Sequence, residues 1–138
     1  MAQVVDMLKA VPLMGFVLVV YFLVAIGGTG ELEKTLLSGS APSGAKWSLK
    51  ISDIIIGLGL LVMFVEMLKS TRASVATMID QGLSMLLFGL CIVLFLLVRT
   101  AGTGTFMLLT FMSLVDVLAG FVITTAANRR DINIERSM

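Results

Sequence analysis

The sequence contains no histidine and only one cysteine, Cys91, which lies within an apolar run. These absences exclude haem held by histidine, zinc sites of the Cys/His type, iron–sulfur clusters, disulfide bonds and histidine-based acid/base catalysis within this chain. The apolar surroundings indicate that Cys91 is a small inert hydrophobic residue rather than a reactive thiol. We therefore expect neither a cofactor nor a metal ion.

Charge is also scarce. Only 14% of the residues are charged, and ten Lys and Arg against nine Asp and Glu leave a formal net charge of +1. A chain with so little charge of one sign lacks the basic field that nucleic-acid binding requires. By contrast, 58% of the residues are hydrophobic and the mean hydropathy is +1.06, which is far from the composition of soluble domains. The sequence therefore predicts a membrane protein whose first partner is the lipid bilayer.

Four apolar runs are long enough to cross a bilayer, whose hydrocarbon core of about 30 Å requires roughly 20 residues of helix. They cover residues of about 12–29, 51–68, 75–98 and 105–127. The runs are continuous instead of alternating, which is typical of membrane helices and not of barrel strands. We predict an all-α polytopic membrane protein in which residues 1–138 form a single four-helix transmembrane bundle.

The basic residues indicate how these spans are oriented. Six of them fall on one side of the predicted membrane and four on the other, which places both termini in the cytoplasm. The six are Lys9, Lys69, Arg72, Arg129, Arg130 and Arg136, and the four are Lys34, Lys46, Lys50 and Arg99. The small size and this polarity favour a bacterial inner membrane.

The only connection of any length runs over residues 30–50, on the predicted outer side. The spacing of Leu32, Leu36 and Leu37 predicts one or two helical turns at the membrane surface. Residues 38–44 are rich in Ser and Gly and predict a flexible stretch. Trp47 is expected to anchor the chain at the level of the lipid headgroups.

Asp116 is the most informative single residue, because its place in the fourth run puts it near the bilayer midplane. A carboxyl group there costs roughly 2.5–3.5 kcal/mol on insertion scales, so it should face the bundle interior and have a hydrogen-bonding partner. Tyr21 is the first candidate for that partner, and Ser84 is the second. No other charged residue is expected at that depth, so two interpretations of Asp116 stay open: an ion or proton site, or an interhelical hydrogen bond that holds the helices together.

A second polar group surrounds the connection between the second and third runs. Glu66, Lys69, Arg72 and Asp80 have spacings that predict a small network of ion pairs at the cytoplasmic end of this hairpin. The basic members of the group make a metal site or a pair of catalytic carboxyl groups an unfavourable interpretation.

Several glycines inside the predicted spans indicate helix–helix contacts, since small residues allow backbones to approach closely in lipid. The ones to which we assign this role are Gly57, Gly59 and Gly120.

No catalytic motif is present, so we expect the chain not to be an enzyme. The leading hypothesis is an accessory or assembly subunit of a membrane complex, or a structural protomer of an oligomer, that acts by packing against other membrane subunits or itself. The alternative is a small transporter or ion-conducting homo-oligomer that uses Asp116. A lipid-modifying enzyme that uses Glu66 and Asp80 ranks third.

Overall fold

A computed structural model describes residues 2–72 and 74–137, except for the side chains at positions 5, 6, 8, 9, 127 and 131. The chain is mostly helical, with 77% of its residues in helices. Its helices are α1 (Ala2–Lys9), α2 (Met14–Ala25), α3 (Ile51–Ser70), α4 (Val75–Leu97) and α5 (Gly104–Ser137). Two strands, β1 (Thr35–Ser40) and β2 (Lys46–Lys50), and two short 3-10 helices, Thr29–Glu33 and Arg99–Ala101, lie between them.

Three helices, α3, α4 and α5, are long and apolar enough to cross a membrane. They confirm the prediction of a helical membrane protein and begin within one residue of the runs seen in the sequence. Helix α5 continues to Ser137, ten residues beyond the apolar run, which carries its polar end out of the hydrocarbon region. Helix α2 is shorter than the predicted run of 12–29. It contains only 12 residues and extends over about 18 Å.

Side-chain caps account for where the long helices begin. The Asp53 carboxylate accepts the backbone N–H of Lys50 at 2.9 Å, one residue before α3. The Ser74 hydroxyl accepts the N–H of Thr77 at 3.2 Å, and the Thr103 hydroxyl accepts that of Phe106 at 3.2 Å. Each cap occupies N–H groups that have no partner inside the first turn of a helix.

The helices pack around α5, which contacts both α3 and α4, while α2 packs against α3. Met14 at the start of α2 lies beside Glu66 near the end of α3, so these two helices are antiparallel. Helices α4 and α5 are antiparallel as well, since Gln81 reaches Val117. We call the end of the bundle where α3 ends and α4 begins the turn face, and the end that carries the two strands the hairpin face.

The connection at the hairpin face differs from the sequence prediction. Only residues 29–33 are helical, and Leu36 and Leu37 lie in β1, which pairs with β2 in antiparallel register. The stretch around residues 38–44 is an ordered hairpin because the Trp47 ring packs over Gly39, where a Cβ atom would come within 2.9 Å of the indole. The prediction of helical turns failed here because cross-strand pairing outweighed a leucine spacing of only two turns.

Candidate intramembrane site

The first helical segment is interrupted between α1 and α2. Residues 10–13 include Pro12, which has no N–H to donate. Backbone groups at such an interruption are costly in lipid unless protein atoms satisfy them. Two side chains of α3 do so: Glu66 Oε1 accepts the N–H of Met14 at 3.3 Å, and Lys69 Nζ donates to the carbonyl of Val11 at 3.1 Å. The interruption is therefore held by ionisable side chains one turn apart on a neighbouring helix.

Glu66 is also part of a buried group of three carboxyl side chains from three helices. Glu66 of α3, Asp80 of α4 and Asp116 of α5 are only 2%, 4% and 5% exposed. The carboxyl groups of Glu66 and Asp116 are close enough to influence each other, and Ser84 lies beside Asp116. Two carboxylates side by side in a dry interior repel each other, so a proton bound between them would relieve that repulsion.

Asp80 has a different environment. Its Oδ2 atom lies 3.3 Å from Lys69 Nζ, which forms an ion pair between α4 and α3. Within the part of the chain that the structure describes, Asp80 Oδ1 and Glu66 Oε2 are buried and receive no hydrogen bond from a donor. The group thus brings three carboxyl side chains and one ammonium side chain together inside the bundle.

Helix geometry gives the depth of this group. Glu66 lies about 22 Å along α3 from Ile51, and Asp116 lies about 18 Å along α5 from Gly104, both measured from the hairpin face. Asp80 lies about 8 Å from the start of α4 at the turn face. The carboxyl groups are therefore within the apolar helices, in the half of the bundle nearer to the turn face.

The structure places the other predicted site residues as follows. Ser84 contacts Asp116, whereas Tyr21 does not. The Tyr21 hydroxyl donates to the carbonyl of Thr100 at 2.7 Å and accepts from the hydroxyl of Thr103 at 2.6 Å, near the hairpin face. Because α2 begins level with Glu66, Tyr21 lies about 10 Å further along the helix axis, too far from Asp116 to bind it.

Of the predicted turn network, Glu66, Lys69 and Asp80 are neighbours in the structure, but Glu66 points to Asp116 and not to a basic side chain. Arg72 is exposed, and no ion pair joins it to Glu66 or Asp80 among the described residues. Sequence analysis assigned Glu66 to the surface because it is close in sequence to Lys69. The rise per residue of the two helices could have shown that Glu66 and Asp116 are neighbours, since their depths differ by less than one helical turn.

The glycines selected from the sequence have different surroundings. A Cβ at Gly59 would come within 2.9 Å of Met112 Sδ and 3.0 Å of Leu109 Cδ2, so α3 and α5 approach closely there. At Gly120 a Cβ would collide with the Gln81 amide, whose Nε2 donates to the Val117 carbonyl at 2.8 Å. The position of a Cβ at Gly57 has no neighbour within 4 Å, so this glycine lies outside the described helix contacts.

Between the buried carboxyl groups and the hairpin face, the bundle is closed by aromatic side chains. The rings of Tyr21, Phe22 and Phe106 have centroids 5.2–5.6 Å apart. Tyr21 and Phe106 are completely buried.

Over residues 2–72 and 74–137, no group of three or more Asp, Glu, Cys or His side chains is close enough to hold a metal ion. Each of the three buried carboxyl groups can by its chemistry bind and release a proton.

Neither a protein-family model, nor a curated protein, nor a solved structure matches this chain.

Proposed function

We propose that the protein is a small proton-conducting or proton-coupled membrane transporter in which the Glu66–Asp116 pair binds the transported proton. The observation that carries this proposal is the proximity of two buried carboxyl groups on different membrane helices. Ionisable residues within membrane spans are costly and commonly mark proton pathways. In the sequence analysis, the main argument against a proton site was that Asp116 has no charged neighbour at its depth. The proximity of Glu66 removes that argument.

The proposed arrangement has four spans, with the run of residues 12–29, which includes α2, as the first, and with α1 before it at the turn face. Interrupted helices next to a binding site recur in transporters, because exposed backbone groups and ionisable side chains satisfy one another there. Both termini are proposed to lie in the cytoplasm, at the turn face, in a bacterial inner membrane. The excess of basic residues on that side supports this orientation.

The second candidate is an accessory or assembly subunit of a larger membrane complex. The observation that favours it is the packed aromatic group of Tyr21, Phe22 and Phe106, which lies between the carboxyl groups and the hairpin face. A proton that reaches Glu66 would then continue through a neighbouring subunit, either a second copy of this chain or a different protein.

Reconstitution separates the two candidates. We expect purified protein in liposomes that enclose a pH-sensitive dye to carry protons inward when a potassium diffusion potential is applied. Glu66→Gln and Asp116→Asn should each lower this flux about 100-fold, the range in which positioned proton-transfer groups act. Glu135→Gln, which removes an exposed carboxylate from the same helix as Asp116, is the matched control and should conduct like the unmodified protein.

Full flux in folded Glu66→Gln and Asp116→Asn would refute the proton site. Absence of flux in the unmodified, correctly folded protein would refute autonomous transport. If that protein co-purifies in fixed stoichiometry with other membrane chains, the accessory role replaces the first proposal.

A further inference from the structure

A second feature of the turn face bears on how protons reach the buried carboxyl groups. An open cavity of about 270 Å³ lies beside the end of α3 and the start of α4. Val65, Leu68, Lys69, Arg72, Ser74 and Thr77 line it. Its volume is sufficient for several water molecules, and hydroxyl and cationic side chains in its wall provide the polar partners that such water needs.

Lys69 lines this cavity and also contacts Asp80, one of the three buried carboxyl side chains. Its ammonium group lies 3.3 Å from Asp80 Oδ2 and donates to the Val11 carbonyl at 3.1 Å. Asp80 in turn is near enough to Glu66 and Asp116 for their charges to interact. The sequence of groups from the cavity inward is therefore Lys69, Asp80 and then the Glu66–Asp116 pair.

We infer that this cavity is the proton entrance of the site, that Asp80 is the first carboxylate a proton meets, and that Lys69 is a positioning residue that holds Asp80 in place. This inference rests on the proposed proton site. It adds the face from which the site is reached and the order in which carboxyl groups take up the proton.

The transfer balances as two proton exchanges. Asp80 lies behind Lys69, outside the cavity lining, and its buried Oδ1 atom has no donor among the described residues. Hydronium in the cavity gives its proton to Asp80 through water that enters behind Lys69, and leaves a water molecule. The new O–H bond of Asp80 then breaks as the proton passes to the Glu66–Asp116 pair, and Asp80 becomes a carboxylate again beside Lys69. Lys69 takes no part in the transfer and supplies the charge that orients Asp80.

The entrance lies on one side only. Toward the hairpin face, Gly59 is packed against Met112 and Leu109, and beyond them lie the buried Tyr21 and Phe106 rings. Two hydroxyl side chains of α5 also lie at this level, the buried Ser113 and Thr110, whose hydroxyl donates to the Phe106 carbonyl, and the packed apolar and aromatic side chains separate them from the hairpin face. A reagent dissolved in water should therefore reach the site from the turn face.

Thiol labelling tests the entrance without using flux. Cys91 is the single cysteine and is buried, so Cys91→Ser gives a background on which cysteines are introduced one at a time. Val65→Cys lines the cavity, and Phe64→Cys is the matched control on the same helical turn, exposed but outside the cavity lining. In vesicles we expect a water-soluble methanethiosulfonate reagent to modify Val65→Cys at least about tenfold faster, because only a hydrated thiol ionises and reacts.

Equal labelling of the two positions would overturn the inference, since it would show that lipid fills the cavity. Fast labelling of Phe106→Cys would overturn it too, because the hairpin side would then be open. Both outcomes are independent of proton flux, so they are distinguishable from failure of the proposed function.

Substitution of Lys69 tests its positioning role. The titratable groups that face Lys69 from packed elements are Asp80 of α4, with Glu66 of α3 and Asp116 of α5 behind it, and Arg72 lines the same cavity. Lys69→Met should lower the flux about 100-fold and shift its pH profile, whereas Lys69→Arg should restore both, since it keeps the charge beside Asp80. An unchanged pH profile in folded Lys69→Met, judged by normal labelling of Val65→Cys, would refute the positioning role.

Discussion

Glu66 Oε1 accepts the backbone N–H of Met14, 52 residues earlier in the chain, while the same carboxyl group contacts Asp116. One side chain thus joins the start of α2 to the buried carboxyl pair. The interruption in the first helical segment and the proposed proton site are consequently parts of one structure, and a change at Glu66 should affect both.

Substitutions of Glu66 separate its two contacts. Glu66→Ala leaves the N–H of Met14 without an acceptor and should destabilise the protein by about 1–3 kcal/mol, the cost of an unsatisfied buried group. Glu66→Gln keeps a carbonyl oxygen for Met14 and should recover most of that loss, although it still abolishes proton exchange. Thermal unfolding in detergent, followed by circular dichroism, measures both. Equal stability of the Ala and Gln variants would contradict the hydrogen bond to Met14.

Two glycines of α3, two residues apart, provide a matched test of helix packing. Gly59→Val places a branched side chain against Met112 and Leu109 and should cost about 1–3 kcal/mol through overpacking. Gly57→Val introduces the same atoms where a Cβ has no neighbour within 4 Å, and should change stability little. The midpoint temperatures of the two variants give the comparison. A larger loss for Gly57→Val would show that another chain packs against that side of α3.

The Lys69–Asp80 ion pair should show strong coupling between its members. Lys69→Met leaves a carboxylate only 6% exposed without its cation, and this should destabilise the protein by about 3–5 kcal/mol. Lys69→Met combined with Asp80→Asn removes both charges and should be more stable than Lys69→Met alone. A double-mutant cycle in detergent measures the coupling energy. Additive effects would contradict a direct pair.

Tyr21 should contribute to stability and not to proton exchange. Tyr21→Phe keeps the ring against Phe106 but removes the bonds to Thr100 and Thr103, which should cost about 0.5–1.5 kcal/mol. Proton flux in liposomes should stay within a factor of about two of the unmodified protein, because the hydroxyl lies about 10 Å from the level of Asp116. Loss of flux with normal stability would place Tyr21 on the proton path.

The carboxyl site illustrates how far sequence reasoning reaches. Asp116 and Ser84 were identified from depth alone, because a carboxyl group inside an apolar run needs a polar neighbour. Glu66 was assigned to the turn, since its nearest charged residue in the sequence is Lys69, and its contact with Asp116 depends on how α3 and α5 are rotated about their axes. The sequence predicted a close contact at Gly59 but not its partners, Met112 and Leu109 of α5, which are known only from the packed helices.

The connection at the hairpin face shows the same limit. Leucine spacing favoured surface helical turns, yet Trp47 over Gly39 and the pairing of β1 with β2 give a hairpin. These contacts join residues up to 15 apart in sequence, from Thr35 to Lys50, so local periodicity contains little information about them.

The sequence by itself determined that this is a helical membrane protein and where α3, α4 and α5 begin. The length of an apolar run and the residues that cap a helix are local properties, so they can be recognised without knowledge of the packed structure. Only the tertiary structure decided which buried groups meet. The hydrogen bonds from Met14 to Glu66 and from Lys69 to Val11, and the proximity of Glu66 to Asp116, arise where different segments come together. An unpaired polar group in lipid is costly, which makes those contacts specific.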